Sequence, residues 1–220
     1  MTLSVAGRRR EYRRFAQSEV MTIDQSTPPG PRMAAKVGAL LYDDAIAVDA
    51  VLTTAVAAIR ARGVVVGGLL QRFGERLSNG KHSMWLDDIA TGQRIRLDQP
   101  RGSGAKACTL DLDALAQASC MLRYTIESAP ALIIVNRFGR AEVEGGGMRA
   151  EIAEAICSGA AVLIAVRSSR LDQLRDFLGD SPSHVMPSPR AIADWAEQVT
   201  ASGRQAGDAR PVEGEVEGDR

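Results

Sequence analysis

Three short apolar runs constrain this chain more than any other feature: VGALLY at residues 37–42, ALIIVN at 131–136 and AVLIAV at 161–166. Each lacks polar alternation, the pattern of a strand buried on both faces, and such strands belong to parallel sheets covered by helices. A fourth run, VVVGGLLQ at 64–71, follows a segment in which Val48, Val51, Leu52, Ala55, Val56 and Ile59 recur at helical spacing. Asp43 and Asp44 are expected to cap that helix, and Gly63 to stop it. Strand, helix and strand in such close succession make a parallel crossover.

The remaining segments extend the pattern. MWLDDIATGQRIRL reads as a β-hairpin, with strands at 84–89 and 93–97 about a turn at 90–92. A helix is predicted over 111–128 with Leu112, Leu115, Ala116, Ser119, Leu122 and Ile126 inward, and Pro130 marks its exit. Further helices are predicted over 147–158, 171–178 and 190–201, the last anchored by Trp195. The predicted fold is α/β: a three-layer Rossmann-like or P-loop-like, mostly parallel sheet flanked by helices, with a β-hairpin insertion.

The ends differ from the middle. Residues 1–32 carry Arg8, Arg9, Arg10, Arg13 and Arg14 ahead of a breaker-rich stretch and read as a disordered basic leader, with Met21 and Met33 as alternative starts. Residues 204–220 hold Glu213, Glu215, Glu217 and Asp219 with little apolar content, the composition of a disordered acidic tail. Residues 33–203 remain as one α/β domain.

Composition narrows the function classes. The 27 basic and 27 acidic side chains cancel, and aromatics are only 4%, so neither a global field nor a series of stacking rings points to nucleic acid, which is expected only through the leader. No run has the length of a membrane span and no secretory signal is apparent, which makes membrane insertion unexpected and the cytoplasm the expected location. Cys108, Cys120 and Cys157 fit neither a disulfide framework nor paired zinc ligands. His82 and His184 lie in polar, loop-like surroundings without a second ligand at metal spacing, so no metal site and no cofactor is assigned. Asp87 and Asp88 are expected on opposite faces of a strand, one of them solvated.

Two segments carry candidate chemistry. In LIIVNRFGRAEVEGGGMR a buried strand ends in Asn136 and Arg137 and runs into a loop with Arg140, Glu142, Glu144 and the glycines Gly145, Gly146 and Gly147. Ligands of open parallel sheets collect at the carboxyl ends of strands, and glycines permit close backbone approach. A well-made strand-to-helix connection has the same composition. The second segment is RGSGAKACTLD, in which Lys106 and Cys108 lie in a flexible, positively charged loop suited to closing over an anion, although an ordinary mobile loop reads the same way.

The stretch NRFGRAEVEGGGMRAEIAEAICSGAAVLIAV, with CTLDLDALAQAS upstream, resembles the bacterial family catalogued as domain of unknown function 2478 over roughly residues 36–180. That family is in turn similar to small P-loop nucleoside triphosphatases, and the resemblance implies a strand ending in a magnesium-handling aspartate. Asn136 stands there instead. The resemblance also implies a phosphate loop after the first strand, but this chain reads YDDAIAVDAVL, without glycine or lysine, and Asp43, Asp44 and Asp49 are expected to repel a triphosphate. Association of the family's genes with molybdate uptake and molybdenum enzymes implies a role in molybdenum metabolism. The expectation is therefore a small-anion-binding or regulatory protein using Asn136, Arg137, Arg140, the loop glycines, Lys106 and Cys108. The alternatives are a divergent triphosphatase using Glu142 or Glu144, and a non-catalytic subunit that binds a protein partner.

Overall fold

The structure, a computed structural model, describes residues 36–77, 80, 82–98 and 111–207. β1 (Val37–Tyr42) leads through α1 (Val48–Ala61) to β2 (Val66–Arg76), and β3 (His82–Asp88) and β4 (Arg94–Arg96) follow. Next come α2 (Leu112–Glu127), β5 (Leu132–Phe138), the single turn α3 (Arg140–Val143), α4 (Arg149–Cys157) and β6 (Ala161–Arg167). A 3-10 turn, α5 (Leu171–Leu178), β7 (Ser183–Val185) and α6 (Pro189–Gly207) close the described order.

The strands form a seven-stranded sheet in the order β4-β3-β2-β5-β6-β1-β7. β2, β5, β6, β1 and β7 run parallel, while β3 and β4 add an antiparallel wing beside β2. The expected α/β class with a mostly parallel sheet is thus the observed one. The 84–97 hairpin is present, and β2 runs on to Arg76 to form a second hairpin with β3 that the apolar pattern did not mark. The outer end of β2, Phe73 to Arg76, is exposed at four consecutive positions, so neither an apolar run nor alternation marks it.

Helices cover both sides of the parallel strands. α1 and α6 pack Leu52, Ala55, Ile59, Ile192, Ala193 and Ala196 on one face against Leu40, Leu132 and Leu163. α2, α4 and α5 pack Ala118, Leu122, Ile152, Ala155 and Leu174 on the other against Ile133, Val135 and Ile164. Trp195 lies so close over β1 that a Cβ on Gly38 would come within 2.6 Å of its ring, which explains glycine in that strand.

Three local expectations need correction. α1 is not capped by Asp43 or Asp44, because Ala47 holds the cap position and Asp43 instead accepts from the Ala45 amide at 2.9 Å in the preceding turn. Asp111 caps α2 as expected, its carboxylate accepting from the Asp113 and Ala114 amides. Its inward face, however, is Ala114, Ala118, Met121, Leu122 and Thr125, and Leu112 is 75% exposed. Small side chains let α2 approach the sheet closely, and Thr125 satisfies its hydroxyl on the Met121 carbonyl. Both histidines lie on strands, His82 on β3 and His184 on β7.

Asp88 is buried and Asp87 half-buried, and both have partners. Asp88 is buried and accepts from the Ala90 and Thr91 amides, fixing the hairpin turn. Asp87 bridges Arg94 and Arg72 across the sheet. Hydrogen bonding from Arg94, then Arg72, holds the Asp87 carboxyl below its ordinary value of 3.8. Burial pushes Asp98 up, but Arg96 and the Met84 amide outweigh it and leave its net shift downward. A depressed folded value contributes stability above the unfolded value, and that stability is lost as pH falls through the folded one. The expected result is a melting temperature that drops as pH falls below about 4, with a shallower drop in Asp87→Asn. An acid profile unchanged by the substitution would contradict the pairing.

Candidate functional site

The connectivity creates one distinctive place at the carboxyl edge. β1 sends its chain onto the α1 face, whereas its neighbour β6, like β5, sends its chain onto the face of α4 and α5. Where adjacent parallel strands lead to opposite faces, their connections part, and open α/β sheets bind ligands there. Tyr42 ends β1 and is paired in register with Arg167 at the end of β6, and Asn136 and Arg137 lie near the end of β5.

Arg137 and Asn136 converge on a single carboxylate. Arg137 Nη2 donates to Asp49 Oδ1 at 3.0 Å, and Asn136 Nδ2 donates to the same oxygen at 2.8 Å. Arg137 Nη1 donates to the Tyr42 hydroxyl at 2.9 Å, and its guanidinium carbon lies 5.2 Å from the Tyr42 ring and 5.8 Å from Phe73. Arg167 takes a similar position over Tyr42, at 5.6 Å, and pairs with Asp44. One tyrosine ring therefore orders two guanidinium groups at the sheet edge. Asp49, expected to repel anions, has its charge offset by Arg137.

Hydrogen bonding at this place is incomplete. Among the described residues, the buried side-chain polar atoms without a partner are Asn136 Oδ1, Arg137 Nε and Arg175 Nε. Two of the three belong to the adjacent pair on Asp49. Asn136 is 1% exposed, whereas the side chain of Arg137 is 20% exposed.

The glycine-rich loop is organised around Glu142. Its Oε2 accepts from the Gly139 amide at 2.8 Å and its Oε1 from the Met148 amide at 3.1 Å, while its backbone carbonyl accepts from Arg149. A Cβ on Gly147 would sit 2.1 Å from that Oε1, so the loop closes around the carboxylate only with glycine there. Gly145 and Gly146 are exposed, and Arg140 pairs with Glu144 at the surface at 2.6 Å. The structure thus brings together Asn136 and Arg137, places Glu142 in the loop interior and leaves the Arg140–Glu144 pair outside. Lys106 and Cys108 lie outside the described residues.

Sequence reasoning missed Tyr42, Asp49, Phe73 and Arg167 as members of this arrangement. Asp49 is separated from its partners by 87 and 88 positions. The available signal was a carboxylate in the first turn of the helix that follows the first core strand, beside an arginine at the end of another core strand.

A family model described as "Protein of unknown function (DUF2478)" matches residues 37–195. The chain belongs to this family. The match agrees with the segment 36–180 in which the family's motifs were read. Over 160 residues, 73% of this chain, it is 33% identical to the "Molybdenum import ATP-binding protein ModC 2" of Bradyrhizobium diazoefficiens. The aligned part is 18% of that protein's length. The solution structure of a human cancer-related nucleoside triphosphatase aligns with 80% of this chain and all of its own at 13% identity, with a TM-score of 0.45. Among the described residues, no helix is long and apolar enough to cross a membrane, and no cluster of three or more His, Cys, Asp or Glu is arranged to hold a metal.

Proposed function

We propose that this DUF2478 protein binds a small oxyanion at the carboxyl edge of its sheet, as a binding or regulatory module in a process connected with molybdenum. The observation that carries this reading is Arg137, ordered by Asp49 and Tyr42 and yet left with an unpartnered Nε–H. A guanidinium held rigid by its neighbours loses little freedom on binding, and its remaining donors suit tetrahedral oxyanions. Arg167 adds a second guanidinium over the same Tyr42 ring. The connection with molybdenum comes from the similarity to a protein named for molybdenum import.

The triphosphatase alternative draws its support from the same relative's description as ATP-binding. It asks for a magnesium site, and the donor set fits one poorly. Glu142 spends both carboxylate oxygens on backbone amides, Glu144 is paired with Arg140, and Asn136 offers a neutral amide. The loop from β1 to α1 brings Asp43 and Asp44 where phosphate-binding amides and a lysine would be wanted.

Thermal shift of the full chain with molybdate, tungstate, sulfate, phosphate and magnesium ATP separates these readings. An oxyanion in excess of its dissociation constant is expected to raise the melting temperature, and Arg137→Ala to abolish the rise. A rise with magnesium ATP alone, accompanied by phosphate release that Glu142→Gln removes, would overturn the proposal.

A further inference from the structure

Asn136 and Arg137 present complementary needs. The amide nitrogen of Asn136 faces the Asp49 carboxylate, which accepts only, so the Asn136 oxygen is fixed as the atom without a partner. That oxygen is an acceptor. The unpartnered atom of Arg137 is a donor, since a guanidinium nitrogen cannot accept. Both side chains are tied to the same oxygen of Asp49, so a ligand reaching one is close to the other.

A buried acceptor without a partner carries a desolvation cost that only a donor removes. Sulfate, molybdate and tungstate are fully deprotonated near neutral pH and bring acceptors alone. They can satisfy Arg137 but place an oxygen of like polarity against the Asn136 oxygen. Hydrogenphosphate and hydrogenarsenate have the same tetrahedral shape and charge, and each keeps one hydroxyl. Resting on the anion-binding reading above, we infer that the ligand is an oxyanion carrying its own hydroxyl, which donates to Asn136 Oδ1 while an anionic oxygen accepts from Arg137 Nε. Both atoms are closed to solvent, so the ligand enters by displacing what covers them beside the partly exposed Arg137 side chain. Asn136 is then the specificity-determining residue, and molybdate itself is disfavoured as the occupant.

Calorimetric titration of the full chain at one pH and ionic strength tests this with four probes: hydrogenphosphate, fluorophosphate, sulfate and molybdate. Fluorophosphate keeps the charge and shape of hydrogenphosphate but replaces the hydroxyl by fluorine. The expected result is hydrogenphosphate binding at least about tenfold more tightly than the other three, as expected when a site's buried polar group is left unpaired by an analogue. In Asn136→Leu that preference is expected to shrink to about twofold or less, because hydrogenphosphate loses its acceptor and sulfate is relieved of the facing oxygen. Equal affinities for all four in the unmodified protein, or a preference for molybdate, would overturn the hydroxyl requirement while leaving anion binding intact. A preference that survives in Asn136→Leu would overturn the role of Asn136. Binding of none of the four would remove the anion-binding reading and this inference together.

Discussion

Gly68→Ala is expected to lower the stability of the chain by about 3–5 kcal/mol, and its melting temperature by roughly 10 °C or more. Gly68 lies in β2 with φ +112, and β2 is hydrogen-bonded to β5 through the centre of the sheet. A Cβ at this position would come within 2.1 Å of the Ile134 carbonyl oxygen and 2.7 Å of the Ile134 nitrogen. Both are backbone atoms of the neighbouring strand, so no side-chain rotation relieves the clash, and the strands must separate. Gly63, at φ +74 with nothing within 4 Å of the place a methyl group would take, is the control. Gly63→Ala carries the conformational penalty alone, about 1 kcal/mol. Equal losses for the two variants in denaturant unfolding would show that the contact with Ile134 is not what requires glycine.

Asp49→Ala is expected to cost about 2–3 kcal/mol and to weaken oxyanion binding by at least about tenfold. The Asp49 and Arg137 side chains are 18% and 20% exposed, so the full penalty of breaking a buried pair is reduced by the solvent that reaches them. Loss of the carboxylate leaves both the Arg137 guanidinium and the Asn136 amide without their acceptor. Arg137 then loses its fixed position over Tyr42 and Phe73. A double-mutant cycle with Arg137→Ala should return a coupling of about 1–2 kcal/mol. Additive losses would show that the pair is not coupled, and oxyanion affinity higher in Asp49→Ala than in the unmodified chain would show that Asp49 competes with the ligand instead of ordering its receptor.

The contrast between legible and illegible parts follows the range of the interactions. The runs at 37–42, 131–136 and 161–166 were recognisable because a strand buried on both faces must be apolar at every position. The helices at 48–61 and 171–178 were recognisable because burial on one side imposes a period along the chain itself. α2 was misread because its buried face is built from Ala114, Ala118 and Thr125, whereas Leu112, its most hydrophobic early residue, faces outward. Hydrophobicity ranks those positions in the wrong order, and only the closeness of the sheet favours small side chains. β7 escaped notice because SHV is short and half polar, and it pairs with β1 only after α5 has carried the chain across the sheet.

The candidate site divides in the same way. Asn136, Arg137 and the glycine loop were visible as an unusual strand end, and the apolar run before them determined that they would lie at a carboxyl edge. Glu142 was visible as a carboxylate, but its bonds to the Gly139 and Met148 amides, which make it the pin of the loop, depend on how the loop closes. By itself the sequence determined the α/β class, the core strands and the polar end of β5, because local pattern and continuous burial are written along the chain. Tertiary structure alone decided that β6 and β5 lie between β1 and β2. It also set Tyr42 against Arg167, and brought Asp49 across 88 positions to Arg137. Those pairings depend on strand order, which no local periodicity encodes.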